Sequence, residues 1–376
     1  MRVLQIIPNL TNGGAERLTI DICNALQNKG CEVKLISFGN QNGYGELIKD
    51  IDWIILNEKS NLRFLRGYYP FAQKLQKIID NFQPNIIHTH LFEAEIISRS
   101  CFYHKAKWFS HLHDNMPQLR NLSLQTLLNK KQLINFYEKQ WLLQKYKNNG
   151  GNSFIAISRD TLKYGEKVLT PICEINYLKN AINYDNFYCK RNFLEETKLK
   201  LINIGSFQPK KNQQFLVDIA KVLKDKEIDF ELRFLGDGEL KSNIQEKVQK
   251  LRLQNQVFFE GNVSNVSEYL NKSNLYVHSA YYEPFGLVLL EAMAAGLPVV
   301  SLDGKGNRDI MVDGENGYML QEQDAILFAN KIIELWKDRI LMNQISVKAN
   351  EFAKNYDITQ YCTKLLTLYQ EAIDSK

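Results

Sequence analysis

The stretch SAYYEPFGLVLLEAMAAGLP, Ser279 to Pro298, decides how the rest of the chain is read. It holds two acids, Glu283 and Glu291, with seven residues between them, including the apolar run Phe285 to Leu290. That run, the small residues Ala292 to Ala295, then Gly296 and Pro298 predict a buried helix of about three turns, opening near Gly286 and stopping at a glycine C-cap. A buried helix carries a carboxylate only at a cost. Glu291, on an otherwise apolar face, and Glu283, ahead of the first turn beside Pro284, are therefore candidate ligand contacts. At about 1.5 Å per residue they stand roughly 12 Å apart, too far to grip one group. The N–H groups at the helix start, near Phe285, Gly286 and Leu287, lie between them and favour phosphate. A nucleotide-sugar suits that spacing: ribose at Glu291, diphosphate at the helix start, hexose at Glu283. The alternative is a core helix with one exposed glutamate and one loop glutamate.

The E-x7-E spacing, with Pro-Phe-Gly after the first acid and Ala-x-Ala-x-Gly-x-Pro after the second, resembles the signature of the retaining glycosyltransferases of family 4 (glycosyltransferase group 1). The resemblance implies an α/β GT-B fold, two Rossmann-like parallel-sheet domains facing a central cleft. Residues 1–182 would form the acceptor-binding domain and 183–355 the nucleotide-sugar domain. Residues 356–376 would be a helix crossing back onto the N-terminal domain.

Size and composition agree with that division. A chain of 376 residues is too long for one ordinary hydrophobic core. Hydrophobic residues at 44% and charged residues at 24% are the proportions of a soluble globular protein. The cysteines, Cys23, Cys31, Cys101, Cys173, Cys189 and Cys362, form no C-x-x-C pair, which suits reduced thiols in a cytoplasmic protein better than disulfides or a zinc site. The first apolar run is too brief for a signal sequence, and no uncharged run is long enough to cross a bilayer.

In the first half, VLQIIP (Val3 to Pro8) reads as a strand, followed by a polar loop, Gly13-Gly14, and a helix with Leu18, Ile22, Ala25 and Leu26 on one stripe and Gly30 as its stop. The dinucleotide fingerprint G-x-G-x-x-G is absent after this strand. In the resembling family the paired glycines lie near the donor diphosphate and the acceptor; the bland alternative is a tight turn needing positive φ. Strands CEVKLISF and DWIIL and a helix from about Pro70 to Phe82 follow. Two further strands, NIIHTH and KWFSHLHDN, each carry His-x-His near the end, so each pair falls on one face: His88 with His90, and His111 with His113. Strand ends of a parallel sheet face the ligand crevice, which brings these imidazoles near the site. A four-histidine metal centre is conceivable, but acidic ligands are missing and the family does not typically need a metal, so none is expected. His113, followed by Asp114, matches the family's histidine and is the one expected to touch the donor sugar. His88, His90 and His111 can equally be hydrogen-bonded core residues. From Met116 to Asn149 the chain is basic, with Arg120, Lys130, Lys131, Lys139, Lys145 and Lys147 against the single acid Glu138, interleaved with Leu127, Leu128, Leu133, Phe136, Tyr137, Trp141 and Leu142. Such a segment is a candidate for peripheral contact with an anionic membrane; the alternative is an ordinary helix with a solvated basic face.

The second half opens with the strand KLINIGSF and the loop QPKKN, whose lysines are placed to neutralise a diphosphate leaving group. Lys211 matches the family's lysine, whereas Ser206 stands where the family has arginine, leaving Lys210 to supply a second charge. FELRFL runs into Gly236-Asp237-Gly238-Glu239, a turn that borders the nucleotide in the family, and QVFFEGNV, with Gly261, should edge the base pocket. After the signature helix, Asn307, Arg308 and Asp309 occupy the place of the family's G-G-x-x-E segment, which leaves donor identity open. A final helix carries the stripe Ile358, Tyr361, Cys362, Leu365, Leu366, Tyr369 and Ile373.

The function implied is retaining transfer of a sugar from a UDP- or GDP-linked donor to an acceptor hydroxyl. The acceptor would be a lipid-linked glycan in cell-surface polysaccharide synthesis, at the inner face of the membrane, without metal or nucleic acid. Glu283, His113 and Lys211 carry the chemistry. Gly13, Gly14, Ser206, Lys210, Gly236, Gly261, Phe285, Gly286, Leu287 and Glu291 join Glu283 and Lys211 around the donor. A nucleotide-sugar epimerase of the same fold and a non-catalytic partner subunit are the alternatives.

Overall fold

The computed structural model describes residues 1–57, 69–120, 129–148 and 152–375. The chain alternates strand and helix: β1 (Arg2–Ile7), α1 (Gly14–Asn28), β2 (Glu32–Ser37), β3 (Asp52–Ile55), α2 (Tyr69–Phe82), β4 (Ile86–His90), α3 (Phe92–Ser98), β5 (Lys107–Leu112), α4 (Lys130–Asn148), β6 (Ser153–Ala156), α5 (Arg159–Leu169) and β7 (Glu174–Tyr177). It continues through β8 (Leu199–Ile204), α6 (Gln213–Asp225), β9 (Phe230–Leu235), α7 (Lys241–Lys250), β10 (Val257–Gly261), α8 (Val266–Asn271), β11 (Leu275–His278), α9 (Leu287–Ala294), β12 (Val299–Leu302), β13 (Gly317–Leu320), α10 (Ala325–Lys337), α11 (Arg339–Lys354) and α12 (Ile358–Asp374). Two compact units result, Met1–Asn180 with Ile358–Lys376, and Ala181–Asp357.

In the first unit the strands pair in the order β3-β2-β1-β4-β5-β6-β7, every pairing parallel. Helices cover both faces of such a sheet, so its central strands are apolar along their length; β4 and nearly all of β1 and β5 are buried. The predicted stripe of α1, Leu18, Ile22, Ala25 and Leu26, is buried. Gly30, with φ +81°, ends the turn behind that helix. From the other end of the chain α12 returns to this unit and packs on α1 and β5, burying Ile358, Tyr361, Cys362, Leu365 and Tyr369.

The second unit repeats the design, with parallel strands in the order β10-β9-β8-β11-β12-β13. Phe207, Phe215, Phe230, Phe234, Leu275 and Phe328 belong to its core. In each unit the strand order reverses once, between β1 and β4 and between β8 and β11. At such a reversal the connections leave the sheet toward opposite faces and open a crevice at the carboxyl ends of the strands. Loops Pro8–Gly13 and Gly205–Asn212, and the segments behind His90 and His278, are therefore the ones that topology makes available to a ligand.

The basic segment divides. Residues 121–128, which include Leu127 and Leu128, and Asn149 lie outside the described residues. In α4, Lys139 is buried alongside Leu142 and Tyr146, while Tyr137 is exposed, so its charges do not form one uninterrupted outer face. Among the described residues no helix is long and apolar enough to cross a membrane.

The first unit contains a buried ion pair. Arg99 donates from Nε to Glu95 Oε1 at 3.0 Å, both side chains being almost fully buried. The Arg99 guanidinium lies over the rings of Trp108 (4.2 Å) and Tyr146 (4.9 Å). Thr89 and Ser110 donate to the other Glu95 oxygen, and Asn152 accepts from Arg99. Removing one partner strands the other charge in the interior. Glu95→Leu is therefore expected to lower the unfolding free energy by about 3–5 kcal/mol, measured by urea titration; a loss under about 1 kcal/mol, the worth of an exposed pair, would contradict this.

Candidate functional site

In the second unit the loops behind β8 and β11 meet. The Tyr281 amide donates to the Lys210 carbonyl (2.9 Å) and the Ser279 hydroxyl to the Lys211 carbonyl (2.9 Å), fixing the two loops to each other. Lys211 Nζ then reaches Glu283 Oε2 at 2.6 Å. His278 Nε2 lies 3.2 Å from the same oxygen, near enough to interact electrostatically but without the alignment of a full hydrogen bond. Burial alone would raise the Glu283 carboxyl. The positive charge of Lys211 is the main cause that more than offsets it and holds Glu283 well below the usual carboxylate range, the nearby polar ring of His278 adding a smaller part. Burial also lowers His278, so its imidazole is neutral at neutral pH. The result is an ionised, largely desolvated carboxylate beside one ammonium group, at the mouth of a helix.

That helix is α9, and Gly286 is its N-cap with φ +103°, a backbone state that costs any residue with a Cβ. The first amides of α9 have no intrahelical carbonyl to reach. The helix is shorter than the three turns predicted, running only from Leu287 to Ala294. Glu291 is also not on a buried apolar face. Phe285, Leu289, Leu290 and Ala292 are buried, whereas Leu287, Val288 and Glu291 are half-buried and share one stripe at helical spacing. The acid thus occupies the accessible side of the helix, where its desolvation costs little.

The segment behind β12 is pressed against Glu283. The Glu283 amide donates to the Gly304 carbonyl (2.8 Å) and the Gly306 amide to the Glu283 carbonyl (3.0 Å). A Cβ on Gly306 would stand 2.0 Å from the Pro284 carbonyl oxygen, so only glycine fits there. Asn307 is wholly buried and pins the turn, accepting from the Gly304 amide and donating to the Leu302 carbonyl, each at 2.9 Å. Arg308 pairs with Asp303. The departures from the family wording at these positions thus have structural tasks beside Glu283.

The remaining donor candidates of this unit lie at the ends of β8, β9 and β10. Ser206 is half-buried and its carbonyl accepts from Gln213 Nε2 (3.0 Å); Lys210 is exposed. Gly236 and Gly238 answer to the neighbouring loop, since a Cβ on Gly236 would meet the Gly205 carbonyl oxygen at 2.2 Å. Gly261 closes β10 with φ +72°. The buried side-chain atoms Asn212 Nδ2 and Oδ1, Gln213 Oε1 and His278 Nδ1 have no hydrogen-bond partner within the protein. Buried polar groups are normally satisfied, and these flank Lys211 and Glu283. His278, Asn212 and Gln213 were missed by sequence reasoning; the signal for His278 was a polar residue closing an apolar strand five positions before the acid.

In the first unit Gly13 and Gly14 stand at the start of α1, and neither has positive φ: Gly13, at φ −141°, is its extended N-cap and Gly14 its first residue. The tight-turn explanation therefore fails. The Gly13 amide donates to the Tyr44 hydroxyl (2.8 Å), which donates back to the Gly13 carbonyl, so Tyr44 clamps the loop. The four histidines lie together on one face of β4 and β5. His88, His90 and His111 are wholly buried, and His113 sits just past the end of β5. His111 Nδ1 is 2.8 Å from His88 Nε2, and His90 Nδ1 is 2.9 Å from His113 Nε2. His88 Nδ1 meets Tyr369, His111 Nε2 meets Tyr361 at 2.9 Å, and His90 Nε2 meets Gln5 Oε1 at 2.7 Å. Ligand atoms of His88, His90 and His111 come within 4.8 Å of one another, but both nitrogens of each ring are already engaged, so a cation would have to break those bonds. Burial is the main cause that lowers all four imidazoles, His113 to about 3, and the neighbouring rings add to it for the other three.

Residues 186–352 match the family described as glycosyl transferases group 1, and residues 12–185 match glycosyltransferase family 4. The chain is 31% identical to an uncharacterised glycosyltransferase of Methanocaldococcus jannaschii over 74% of its own length and 71% of the relative's. It is 24% identical to the N-acetyl-alpha-D-glucosaminyl L-malate synthase of Bacillus anthracis, over 93% of each chain. Among solved structures, Anabaena HepE in complex with UDP and glucose superposes with a TM-score of 0.80 at 17% identity, over 98% of this chain and 99% of that one. Sucrose-phosphate synthase from Thermosynechococcus elongatus also gives 0.80, at 18% identity over 100% of both chains. The fold is GT-B.

Two measurements check the electrostatics. Lys211→Met removes the attraction and leaves the burial, so the Glu283 carboxyl should move from below the usual range to above it, read from its carbon-13 shift; an unmoved titration would count against the pair. The four imidazoles take up protons more readily when unfolded, so their contribution to stability is complete above about pH 6.5 and is lost as pH falls below it. Each adds a slope of up to about 1.4 kcal/mol per pH unit. Urea titrations at about pH 7.5 and 5 should show this loss; equal stabilities would contradict it.

Proposed function

The chain belongs to the family 4, group 1 glycosyltransferases, and from that premise we propose that it transfers a sugar, with retention, from a UDP- or GDP-linked donor to an acceptor hydroxyl. The observation that carries this reading is the Lys211–Glu283 pair at the start of α9. An anionic diphosphate is attracted by Lys211, Lys210 and the first amides of α9. Glu283, ionised at neutral pH, accepts hydrogen bonds from hydroxyls of the donor sugar, and Glu291 on the accessible side of α9 takes the ribose. His113 contacts a sugar hydroxyl, and the glycines at 13 and 14 leave room for the reacting groups.

In this reading the bond between the anomeric carbon and the diphosphate oxygen breaks with the electron pair on oxygen. The acceptor oxygen bonds the same face of the sugar and its proton passes to the departing diphosphate. Catalysis then comes from positioning and from charge stabilisation of the leaving group. Lys210, Lys211 and the amides, rather than a bound cation, supply that stabilisation, so turnover should survive EDTA. Support for the setting comes from relatives: one is named for capsular polysaccharide biosynthesis in Staphylococcus aureus and another for poly(ribitol-phosphate) glycosylation. In this reading the acceptor is a lipid-linked glycan at the cytoplasmic face of the membrane, met in part through the basic residues of α4.

Glu283→Ala is expected to cut turnover at least about a hundredfold, as loss of a group aimed at the reacting sugar does, with the fold retained by circular dichroism. Glu291→Ala should chiefly weaken binding of UDP or GDP by calorimetry. Wild-type turnover of both variants at subsaturating donor would overturn the assignment.

A further inference from the structure

Gln5 lies wholly buried on β1, opposite His88 and beside His90. Its amide has one side that only donates and one that only accepts, and no proton movement exchanges them. The nitrogen faces the Tyr369 hydroxyl at 3.5 Å and the oxygen faces His90 Nε2 at 2.7 Å. With the amide seated this way His90 Nε2 carries the proton, which leaves Nδ1 of a neutral ring as an acceptor. That Nδ1 is 2.9 Å from His113 Nε2, so His113 carries its proton there and its Nδ1 is a lone pair. The other pair differs. His88 and His111 run between two phenols, Tyr369 and Tyr361, each able to donate or accept, Tyr369 even while it accepts from Gln5, so their direction is less tightly fixed.

We propose that Gln5 and His90 are positioning residues for His113: they hold it as the Nε2–H tautomer, so that Nδ1 accepts a hydrogen bond from a substrate hydroxyl. This rests on the reading that His113 touches the sugar. The two residues act at one and two removes, through a sequence of bonds inside a single unit. Burial favours the neutral rings on which a tautomer choice depends. The chemistry selected is a hydrogen-bond donor on the sugar, a hydroxyl in preference to an acceptor-only group such as fluorine.

The test uses the full chain labelled with nitrogen-15 in its histidine rings and long-range nitrogen–proton spectra near neutral pH, assigned with single histidine variants. His113 should show the Nε2–H pattern. Gln5→Leu should mix its tautomers and lower kcat/KM for the nucleotide-sugar by up to about tenfold, the scale of one neutral hydrogen bond. His90→Leu should mix them too, whereas His90→Asn, whose amide oxygen can replace Nδ1 as acceptor, should restore most of the Nε2–H population. A wild-type His113 protonated on Nδ1 overturns the proposal, and so does a Gln5→Leu protein with tautomer and kcat/KM both unchanged. The spectra need no substrate. A wild-type chain that turned over no nucleotide-sugar would refute the functional reading, while the tautomer would still decide the relay.

Discussion

The contact on which the second unit's site depends is the ion pair between Lys211 and Glu283. It exists because a parallel sheet with a single reversal of strand order sends the loops behind β8 and β11 out side by side. Backbone bonds then tie these loops to each other, Tyr281 to Lys210, and to the segment behind β12, Glu283 to Gly304, so the two charges are presented by fixed supports. Burial by itself would favour a protonated carboxyl at this position. Lys211 prevents it, and Glu283 stays an acceptor-only group, the state suited to sugar hydroxyls. The same lysine would meet an arriving diphosphate, so donor binding and the ionisation of Glu283 are coupled through one ammonium group.

The first unit handles polar groups in another way. His88, His90, His111 and His113 lie together on one face of its sheet, uncharged, and bond to each other, to Gln5 on β1 and to two tyrosines on α12. A helix from the far end of the chain thus completes a network begun by the first strand. The polar face of β4 and β5 and the tyrosines at Tyr361 and Tyr369 make sense only together. Either without the other would leave buried nitrogens or hydroxyls unpaired, at about 1–3 kcal/mol each.

Much of this was legible in the chain. The apolar strands and the stripe of α1 follow from periodicity, and the motif around Glu283 identified the family. What escaped had little periodicity to offer. In α7, KSNIQEKVQK, only Ile244 and Val248 are buried, and α3 and α8 are barely two turns long. The strand β13 is hidden behind an Asp-Gly-Glu-Asn-Gly run that reads as loop. That Glu291 shares a half-buried stripe with Leu287 and Val288 is not legible in an apolar segment that looks buried all round, since only packing shows which stripe is left open. The roles of Gln5 and Tyr44 depend on residues tens to hundreds of positions away, so no local pattern contains them. His-x-His showed that four imidazoles share a face but not that phenols from α12 would meet them.

The most direct test of the central claim is a crystal structure of the protein with a nucleoside-diphosphate sugar bound. The account predicts diphosphate oxygens within hydrogen-bond reach of Lys211 Nζ and the first amides of α9, ribose hydroxyls at Glu291 and sugar hydroxyls at Glu283. A donor seated elsewhere, or one that leaves the Lys211–Glu283 pair untouched, would contradict it.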